Sequence, residues 1–168
     1  FTSEFSNSLL TIAERRPDVV AITAAMPGST GLLPFQQRYP DRFFDTGIAE
    51  QHALTSAAGM ARAGLRPFVA IYSTFLARGF DQVMYDIGLH GLPVVICIDR
   101  AGVTGPDGAS HPGVHDIAMY ARVPGMTIFS PSSLQELPVM MTQALETNGP
   151  VAIRWPRGTA DESSVVGQ

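Results

Sequence analysis

The fold class of this 168-residue chain is decided by residues 94–102, which read VVICIDRAG. The first five residues are apolar and mostly β-branched, a composition typical of a strand. No polar residue interrupts them, so neither face of the strand is suited to water. Strands of this kind occur mainly in parallel sheets whose two faces are covered by helices. We therefore predict a buried central strand over residues 94–99, followed by a loop.

Strand and helix patterns alternate on both sides of this segment. Short apolar runs predict five more strands, over residues 19–23, 43–44, 67–72, 126–129 and 151–155. Apolar residues at helical spacing predict helices that begin at Thr2 or Ser3, that span 48–63, 74–90 and 116–122, and that run from Ser130 or Ser132 to about Glu146. Such alternation builds βαβ units, and we expect an α/β fold with a three-layer, doubly wound, mostly parallel six-stranded sheet.

Composition and charge exclude several classes of protein. Hydrophobic residues make up 45% of the chain and charged residues 15%, which is too apolar for a disordered protein. The eleven basic residues are all arginine, they form no basic run, and the net charge is −4, so we expect no nucleic-acid partner. The single cysteine, Cys97, excludes an internal disulfide framework and a Cys₄ zinc site. The apolar runs are far too short to span a membrane, and we expect no membrane partner.

No linker or internal repeat divides the chain. We predict one domain over residues 1–158 and a polar tail over 159–168 that leads toward a C-terminal domain missing from this chain. The sequence begins at Phe1, without a methionine and close to a predicted helix start, so we expect a fragment of a longer polypeptide.

The candidate site residues follow the predicted strands. Ligands of doubly wound sheets bind at the carboxyl ends of the strands, in the loops that come next. That rule selects residues 45–50, 72–78, 99–115 and 155–158. These segments contain the residues best suited to chemistry: Glu50, Tyr72, Phe75, Arg78, Arg100, Asp107, His111 and Arg157.

Several of these residues also have a structural interpretation. Glu50 begins an apolar helix, where the helix dipole stabilises a carboxylate. Alternatively, a carboxyl group partly buried among Ala, Ile and Leu can share a proton with a heterocycle. Phe75, at a strand-to-helix junction, is typical of a core aromatic, yet Tyr72, Phe75 and Arg78 are spaced three apart and fall on one helical face. Such a face offers a stacking surface, a hydroxyl and a guanidinium together.

The loop after the central strand is rich in glycine, and a simple loop explains those glycines. It does not explain why Arg100, Asp107 and His111 all follow the most buried strand, so we predict that this loop is functional. His111 and His115 are four residues apart, as in helical zinc sites, but the Pro-Gly pair between them disfavours a regular helix. We therefore assign no metal ligand in this chain.

Five short motifs, taken in order, carry a family resemblance. They are GIAEQHA at residues 47–53, YSTF at 72–75, DRAG at 99–102, DGASH at 107–111 and WPRG at 155–158. Together they resemble the transketolase-like pyrimidine-binding domain of thiamine-diphosphate enzymes, and the resemblance covers residues from about 5 to 159. Within that superfamily the chain is similar to the synthases that form 1-deoxy-D-xylulose 5-phosphate. Pro112 departs from the pattern, because many members have a second histidine there, and the Gly-Asp-Gly motif of the superfamily's diphosphate-binding domain does not occur.

The resemblance implies a role for each candidate residue. Glu50 would hydrogen-bond a ring nitrogen of the cofactor's aminopyrimidine, Phe75 would stack on that ring, and Ile48 would contact it. Glu50 and His111 would be catalytic residues. The substrate-binding residues would be Tyr72, Arg78, Arg100, Asp107 and Arg157, with Arg100 and Arg157 anchoring a phosphate. The implied cofactor is thiamine diphosphate, and its Mg²⁺ would be bound by the diphosphate-binding domain of the same polypeptide.

The implied reaction condenses pyruvate with D-glyceraldehyde 3-phosphate and releases CO₂ and 1-deoxy-D-xylulose 5-phosphate, a precursor of isoprenoids, thiamine and pyridoxal. The whole enzyme would be a cytoplasmic homodimer of bacterial or plastid type, and this fragment alone would be inactive. Apolar surface is expected where a partner sits, at Ile48, Ala49, Phe75 and Leu76. Two alternatives stay open. One is another thiamine-diphosphate enzyme, either transketolase or a 2-oxo acid dehydrogenase component, and the other is an inert module that keeps the fold without the chemistry.

Overall fold

Six strands form a single parallel sheet in the computed structural model, which describes residues 1–158. The strands are β1 (Val19–Thr23), β2 (Phe43–Asp45), β3 (Arg66–Tyr72), β4 (Val95–Asp99), β5 (Thr127–Phe129) and β6 (Val151–Arg154). Their order across the sheet is β2-β1-β3-β4-β6-β5, and every neighbouring pair is parallel. The expected six-stranded α/β sheet is confirmed, and it is wholly parallel rather than mostly so. The predicted tail over 159–168 lies outside the described residues.

Helices cover both faces of the sheet. They are α1 (Thr2–Arg15), α2 (Leu33–Arg38), α3 (Glu50–Arg62), α4 (Ser73–Leu76), α5 (Phe80–Gln82), α6 (Asp116–Tyr120) and α7 (Glu136–Glu146). One hydrophobic core lies between the sheet and α1, α2 and α7, and a second lies between the sheet and α3 and α6. All five residues of β4 are buried, with Cys97 in the first core and Ile96 in the second. The three-layer prediction is therefore correct. Within residues 1–158, no helix combines the length and the apolarity needed to cross a bilayer.

The prediction of one continuous helix over residues 74–90 is wrong. The segment consists of α4, a 3₁₀ turn (Ala77–Gly79), α5 and a π-helical stretch (Val83–Gly88). Two glycines account for the interruptions. A Cβ atom at Gly79 would lie 2.4 Å from Leu54 Cδ1 of α3, and one at Gly88 would lie 2.4 Å from Val123 Cγ1. These close approaches let the segment pack against its neighbours, and that packing overrides regular α-helical hydrogen bonding.

Two further helix starts differ from the sequence pattern. α7 begins at Glu136, after the predicted serine caps. Ser132 donates its backbone N–H and its hydroxyl to the Glu136 carboxylate, while Ser133 Oγ accepts from the Glu136 N–H. α2 has no counterpart among the predicted elements, because Phe35 is its one buried residue and the apolar pattern is too short to indicate a helix.

Strand register brings the candidate loops to one edge of the sheet. Tyr72 and Asp99 are register partners at the carboxyl ends of β3 and β4. Just beyond β6, the Trp155 carbonyl accepts a hydrogen bond of 2.9 Å from the Ala101 N–H. The loops that follow β3, β4 and β6 therefore begin side by side.

Candidate functional site

Glu50 is the first residue of α3, and its carboxylate is buried. Only 2% of the residue is exposed, and Oε2 lies 3.2 Å from Nη1 of Arg78. The Arg78 side chain itself is 56% exposed. A helix N-terminus favours negative charge, so the structural interpretation of Glu50 also holds. Because its ion-pair partner is largely in solvent, the carboxylate lies at the boundary between the core and the surface.

A tight turn delivers Glu50 to this position. Asp45 Oδ1 accepts hydrogen bonds from the N–H groups of Ala25, at 2.8 Å, and Gly47, at 3.0 Å. Gly47 has φ +69°, a left-handed conformation that glycine adopts without strain. The turn leaves Ile48, two residues before Glu50, 79% exposed.

An aromatic row connects the end of β3, helix α4 and the loop after β4. The rings of Tyr72 and Phe75 are stacked, with centroids 5.6 Å apart. The His111 ring meets Phe75 edge-on at 5.5 Å, a favourable geometry for aromatic pairs. His111 Nδ1 lies 3.0 Å from Ser110 Oγ. Phe75 is half-buried, so its ring is partly available to a ligand.

Two arginines and one aspartate form a cluster at the Tyr72 end of this row. We call these residues, Arg100, Asp107 and Arg157, the arginine cluster. The Arg100 guanidinium lies 3.8 Å above the centre of the Tyr72 ring, a cation–π arrangement. Its Nε is 3.4 Å from Asp107 Oδ2, and Asp107 Oδ1 is 3.2 Å from Arg157 Nη1. One carboxylate thus bridges two guanidinium groups, as an anionic ligand would.

The structure therefore brings the sequence-predicted residues together in two groups of direct contacts at the carboxyl edge of the sheet. The aromatic row and the arginine cluster are joined by direct contacts. The Glu50–Arg78 pair forms a second group, and Arg78 follows Phe75 by three residues in the chain. Sequence reasoning missed Thr2, whose hydroxyl donates to Asp99 Oδ2 at 2.9 Å, 97 residues away. Asp99 belongs to the DRAG motif, but sequence reasoning gave it no role. An acid that ends a fully apolar strand was the available signal for Asp99, whereas nothing in the sequence pointed to Thr2.

The glycine-rich loop is held against α4. Gly102 and Gly113 exchange two backbone hydrogen bonds of 2.8 and 2.7 Å. Thr74 Oγ1 donates to the Ser110 carbonyl at 2.9 Å. A Cβ atom at Gly113 would lie 2.3 Å from Ser73 Cβ and 2.6 Å from the Arg100 carbonyl oxygen. The loop that carries Asp107 and His111 is therefore fixed to the elements that carry Phe75 and Arg100.

Gly113→Ala is expected to lower the free energy of unfolding by about 1–3 kcal/mol, because the added methyl group overlaps a backbone oxygen and Ser73. Denaturant unfolding of the chain measures this change. Gly59→Ala in α3 is the matched control, since no atom lies within 4 Å of its added Cβ. That control is expected to raise stability by roughly 0.5–1 kcal/mol through helix propensity. Equal midpoints for Gly113→Ala and the unmodified chain would show that the loop is not held as described.

The expected apolar partner surface needs correction. Ile48 is exposed as predicted, but Leu76 is fully buried in the second core and offers no partner surface. Arg154 lies outside the five motifs; its side chain is only 19% exposed, and its Nε lies 3.0 Å from the buried Asp116 carboxylate. Among residues 1–158, no three His, Cys, Asp or Glu side chains are placed to hold a metal ion.

The fold and the site together define an α/β domain whose acidic, aromatic and arginine residues line the carboxyl edge of a parallel sheet. The chain belongs to the transketolase pyrimidine-binding domain family, whose pattern matches residues 2–162. The resemblance that the five motifs indicate is therefore confirmed.

Curated relatives are much longer than this chain. The 1-deoxy-D-xylulose-5-phosphate synthase of Mycolicibacterium vanbaalenii is 56% identical over 163 residues, a match that covers 96% of this chain and 26% of the relative. The synthase of the same name from Mycobacterium tuberculosis is 55% identical with the same coverage. The chain thus spans about a quarter of the length of the curated relatives it matches.

Solved transketolases share the fold. A chain of a split-gene transketolase, described as an inactive β4 tetramer, is 32% identical with a TM-score of 0.80, and the match covers 90% of this chain and 49% of that one. Transketolase from Campylobacter jejuni gives a TM-score of 0.85 at 19% identity and covers 99% of this chain and 27% of that one. At 19% identity the likeness concerns the fold alone.

Proposed function

We propose that this domain binds the aminopyrimidine half of thiamine diphosphate in an enzyme that makes 1-deoxy-D-xylulose 5-phosphate and CO₂ from pyruvate and D-glyceraldehyde 3-phosphate. The observation that carries the proposal is the joint placement of a buried Glu50, a half-exposed Phe75 and the arginine cluster along one edge. A proton-sharing carboxyl, a stacking ring and a phosphate anchor are the three things that this cofactor and this acceptor need from the chain. The names of relatives at 55–56% identity support the same assignment.

The residues present fit an aminopyrimidine. Such a ring offers a nitrogen that pairs with a carboxyl group and a flat face that stacks on an aromatic side chain. Arg78 contacts Oε2 of Glu50, which leaves Oε1 for a ring nitrogen. Phe75 supplies the aromatic face, and Ile48 lies exposed beside Glu50 as an apolar contact. When bound, the cofactor would supply a nucleophilic thiazolium carbon and a ring able to take up the electron pair released with CO₂.

Glu50 holds and moves the proton at the pyrimidine nitrogen. Its burial excludes most water from the carboxyl group, and this favours proton exchange with the bound ring over exchange with solvent. His111, on the edge of Phe75, is placed to hydrogen-bond the pyruvate-derived group or to move its proton. Arg78 lies next to Glu50 and assists acceptor binding.

The arginine cluster binds the phosphate of the acceptor. Guanidinium groups match phosphate oxygens in a bidentate geometry, and charge-assisted hydrogen bonds are among the strongest available. An incoming phosphate competes with Asp107 for Arg100 and Arg157, so Asp107 orients the two arginines and governs access to them. Tyr72 lies under Arg100 and adds a hydroxyl donor.

The proposed enzyme needs further domains, which would correspond to the regions of the relatives that lie outside the match with this chain. We propose that residues 1–158 form the pyrimidine-binding domain and that 159–168 lead toward a smaller C-terminal domain. A separate diphosphate-binding domain of the same polypeptide would hold the diphosphate and Mg²⁺, and the complete enzyme would be a cytoplasmic homodimer. Transketolase is a weaker alternative, because relatives at 55–56% identity bear the synthase name, whereas the solved transketolases match at 32% and 19%. The 2-oxo acid dehydrogenase component is weaker because an arginine pair at this edge suits a phosphorylated acceptor.

The isolated chain is expected to show no turnover of pyruvate and D-glyceraldehyde 3-phosphate, because it would contact only the pyrimidine half of the cofactor. A thiamine-diphosphate titration tests this, first with the chain alone and then with a supplied diphosphate-binding domain. Binding and product formation should appear only in the second case. Turnover by the chain alone would overturn the domain assignment, and no binding in either case would favour an inert module.

A further inference from the structure

Asp99 is a buried carboxylate to which the proposed function gives no task. It ends β4 and is 0% exposed. Thr2 Oγ1 donates to Oδ2 at 2.9 Å, whereas Oδ1 has no hydrogen-bond partner among the described residues. Burial raises the pKa of Asp99. The Thr2 hydroxyl, the charge and backbone N–H of Arg100 and the indole N–H of Trp155 only partly oppose this effect. A buried carboxylate with an incompletely satisfied oxygen is costly and calls for a reason.

That oxygen lies against Arg100. The distance from Asp99 Oδ1 to Arg100 Nη1 is 3.3 Å. Neighbouring residues in a strand point to opposite faces, so this contact requires the chain to turn back at once. Arg100 does so with φ +59°, a left-handed conformation that is unfavourable for a residue with a long side chain. The local fold therefore accepts backbone strain where the arginine side chain is brought against the acid.

The contacts of Arg100 divide its guanidinium into two ends. Nη1 forms the ion pair with Asp99 and donates a hydrogen bond of 3.2 Å to the Ser29 carbonyl. The Nε end lies toward Asp107, the carboxylate that a phosphate would replace. The face of the guanidinium rests on Tyr72, and only 15% of the side chain is exposed. The Nη1 end is thus fixed by protein groups, and the Nε end faces the position that an anion would take.

We infer that Asp99 is a positioning residue for anion recognition: it fixes the Nη1 end of Arg100 so that the Nε edge faces the phosphate of the acceptor. The inference rests on the proposed function for the identity of that anion. It assigns Thr2 a supporting part, because the Thr2 hydroxyl orients the Asp99 carboxylate from the first turn of α1. The ligand displaces Asp107 from Arg100, whereas Asp99 keeps its contact with Nη1.

A double-mutant cycle in the full-length enzyme tests the inference. Asp99→Asn keeps the size of the side chain and an acceptor for Thr2, and removes the charge. Its effect is measured in two backgrounds, the unmodified enzyme and Arg100→Ala. The readouts are KM and kcat with D-glyceraldehyde 3-phosphate and with unphosphorylated glyceraldehyde, and the dissociation constant of inorganic phosphate by calorimetry. Asp41→Asn is the matched control, because Asp41 is exposed in the turn before β2, away from the carboxyl edge.

In the unmodified background, Asp99→Asn is expected to raise the KM for D-glyceraldehyde 3-phosphate and the dissociation constant of phosphate by about tenfold, a typical size for coupled neighbours. In the Arg100→Ala background the same change should have almost no effect. Glyceraldehyde should be used as before. The melting temperature should change little, because Asp107 still pairs with the Arg100 guanidinium.

Equal losses in both backgrounds, equal losses with both aldehydes, or tighter phosphate binding would overturn the inference. A lower melting temperature with a uniform loss of activity would assign Asp99 a structural role instead. The phosphate titration separates this inference from the proposed function. Suppose that the enzyme does not catalyse the proposed reaction, yet Asp99→Asn weakens phosphate binding only when Arg100 is present. That result would contradict the proposed function and retain the role of Asp99.

Discussion

Glu50→Ala in the full-length enzyme is expected to lower kcat by about 10²–10⁴-fold, the usual contribution of a positioned acid–base group. The KM values for both substrates should change little, because the proton transfer contributes to the transition state and not to substrate binding. The fold should persist. Arg78, the ion-pair partner of Glu50, is 56% exposed and would be hydrated once the carboxylate is gone.

The measurement that isolates this role is hydrogen–deuterium exchange at the thiazolium carbon of bound thiamine diphosphate, followed by NMR. Exchange should slow by a factor similar to the loss in kcat. Glu50→Gln keeps the shape without the carboxylate and should behave like the alanine variant. Glu146→Ala, an exposed glutamate at the end of α7, is the control and should exchange normally. An unchanged exchange rate in Glu50→Ala would remove Glu50 from the mechanism and leave the helix-dipole interpretation.

The sheet could be predicted from the sequence because its central strands are apolar on both faces. Residues 94–99 contain no polar side chain before Asp99, so no other arrangement buries them as completely. In a sheet built from alternating strands and helices, ligands bind at the carboxyl ends of the strands. This rule places Glu50, Tyr72, Arg100 and Arg157 at one edge of the sheet, and they do lie there. Periodicity and topology were sufficient for this part of the site.

The interruptions between residues 77 and 88 could not be predicted in the same way. Apolar residues in that segment recur at helical spacing, and Gly79 alone does not end a helix. The deciding contact is with Leu54, which α3 supplies from 25 residues earlier in the chain. A local pattern carries no information about such a neighbour, so packing between elements sets the geometry of this segment.

The contacts within the site were equally inaccessible to sequence reasoning. The motifs name Arg100, Asp107 and Arg157, but they do not say that one carboxylate bridges both guanidinium groups. They also do not reveal that Thr2, in α1, supports Asp99 at the end of β4. These pairings depend on side-chain conformations and on the close approach of distant segments, which only the folded chain specifies.

Arg157→Ala is expected to raise the KM for D-glyceraldehyde 3-phosphate by about one to two decades, because each charge-assisted bond between a guanidinium and a phosphate contributes roughly 1.5–3 kcal/mol. Pyruvate and unphosphorylated glyceraldehyde should be affected little, since neither carries the phosphate. Arg100→Ala should show the same selectivity together with a lower melting temperature. It removes the ion-pair partner of the fully buried Asp99, whereas the Arg157 side chain is 40% exposed and, within residues 1–158, forms an ion pair with Asp107 alone.

Arg157→Ala is therefore the cleaner variant, and the deciding quantity is the ratio of kcat/KM for the phosphorylated acceptor to kcat/KM for glyceraldehyde. The phosphate-anchor assignment requires this ratio to fall in both arginine variants while the melting temperature of Arg157→Ala stays near that of the unmodified enzyme. Arg122→Ala is the matched control, because Arg122 is exposed beyond α6 and forms no ion pair among the described residues. If both arginines instead only stabilise the loops after β4 and β6, every substrate loses activity equally. A constant ratio with a falling melting temperature would establish that structural role and end the case for a phosphate site at this edge.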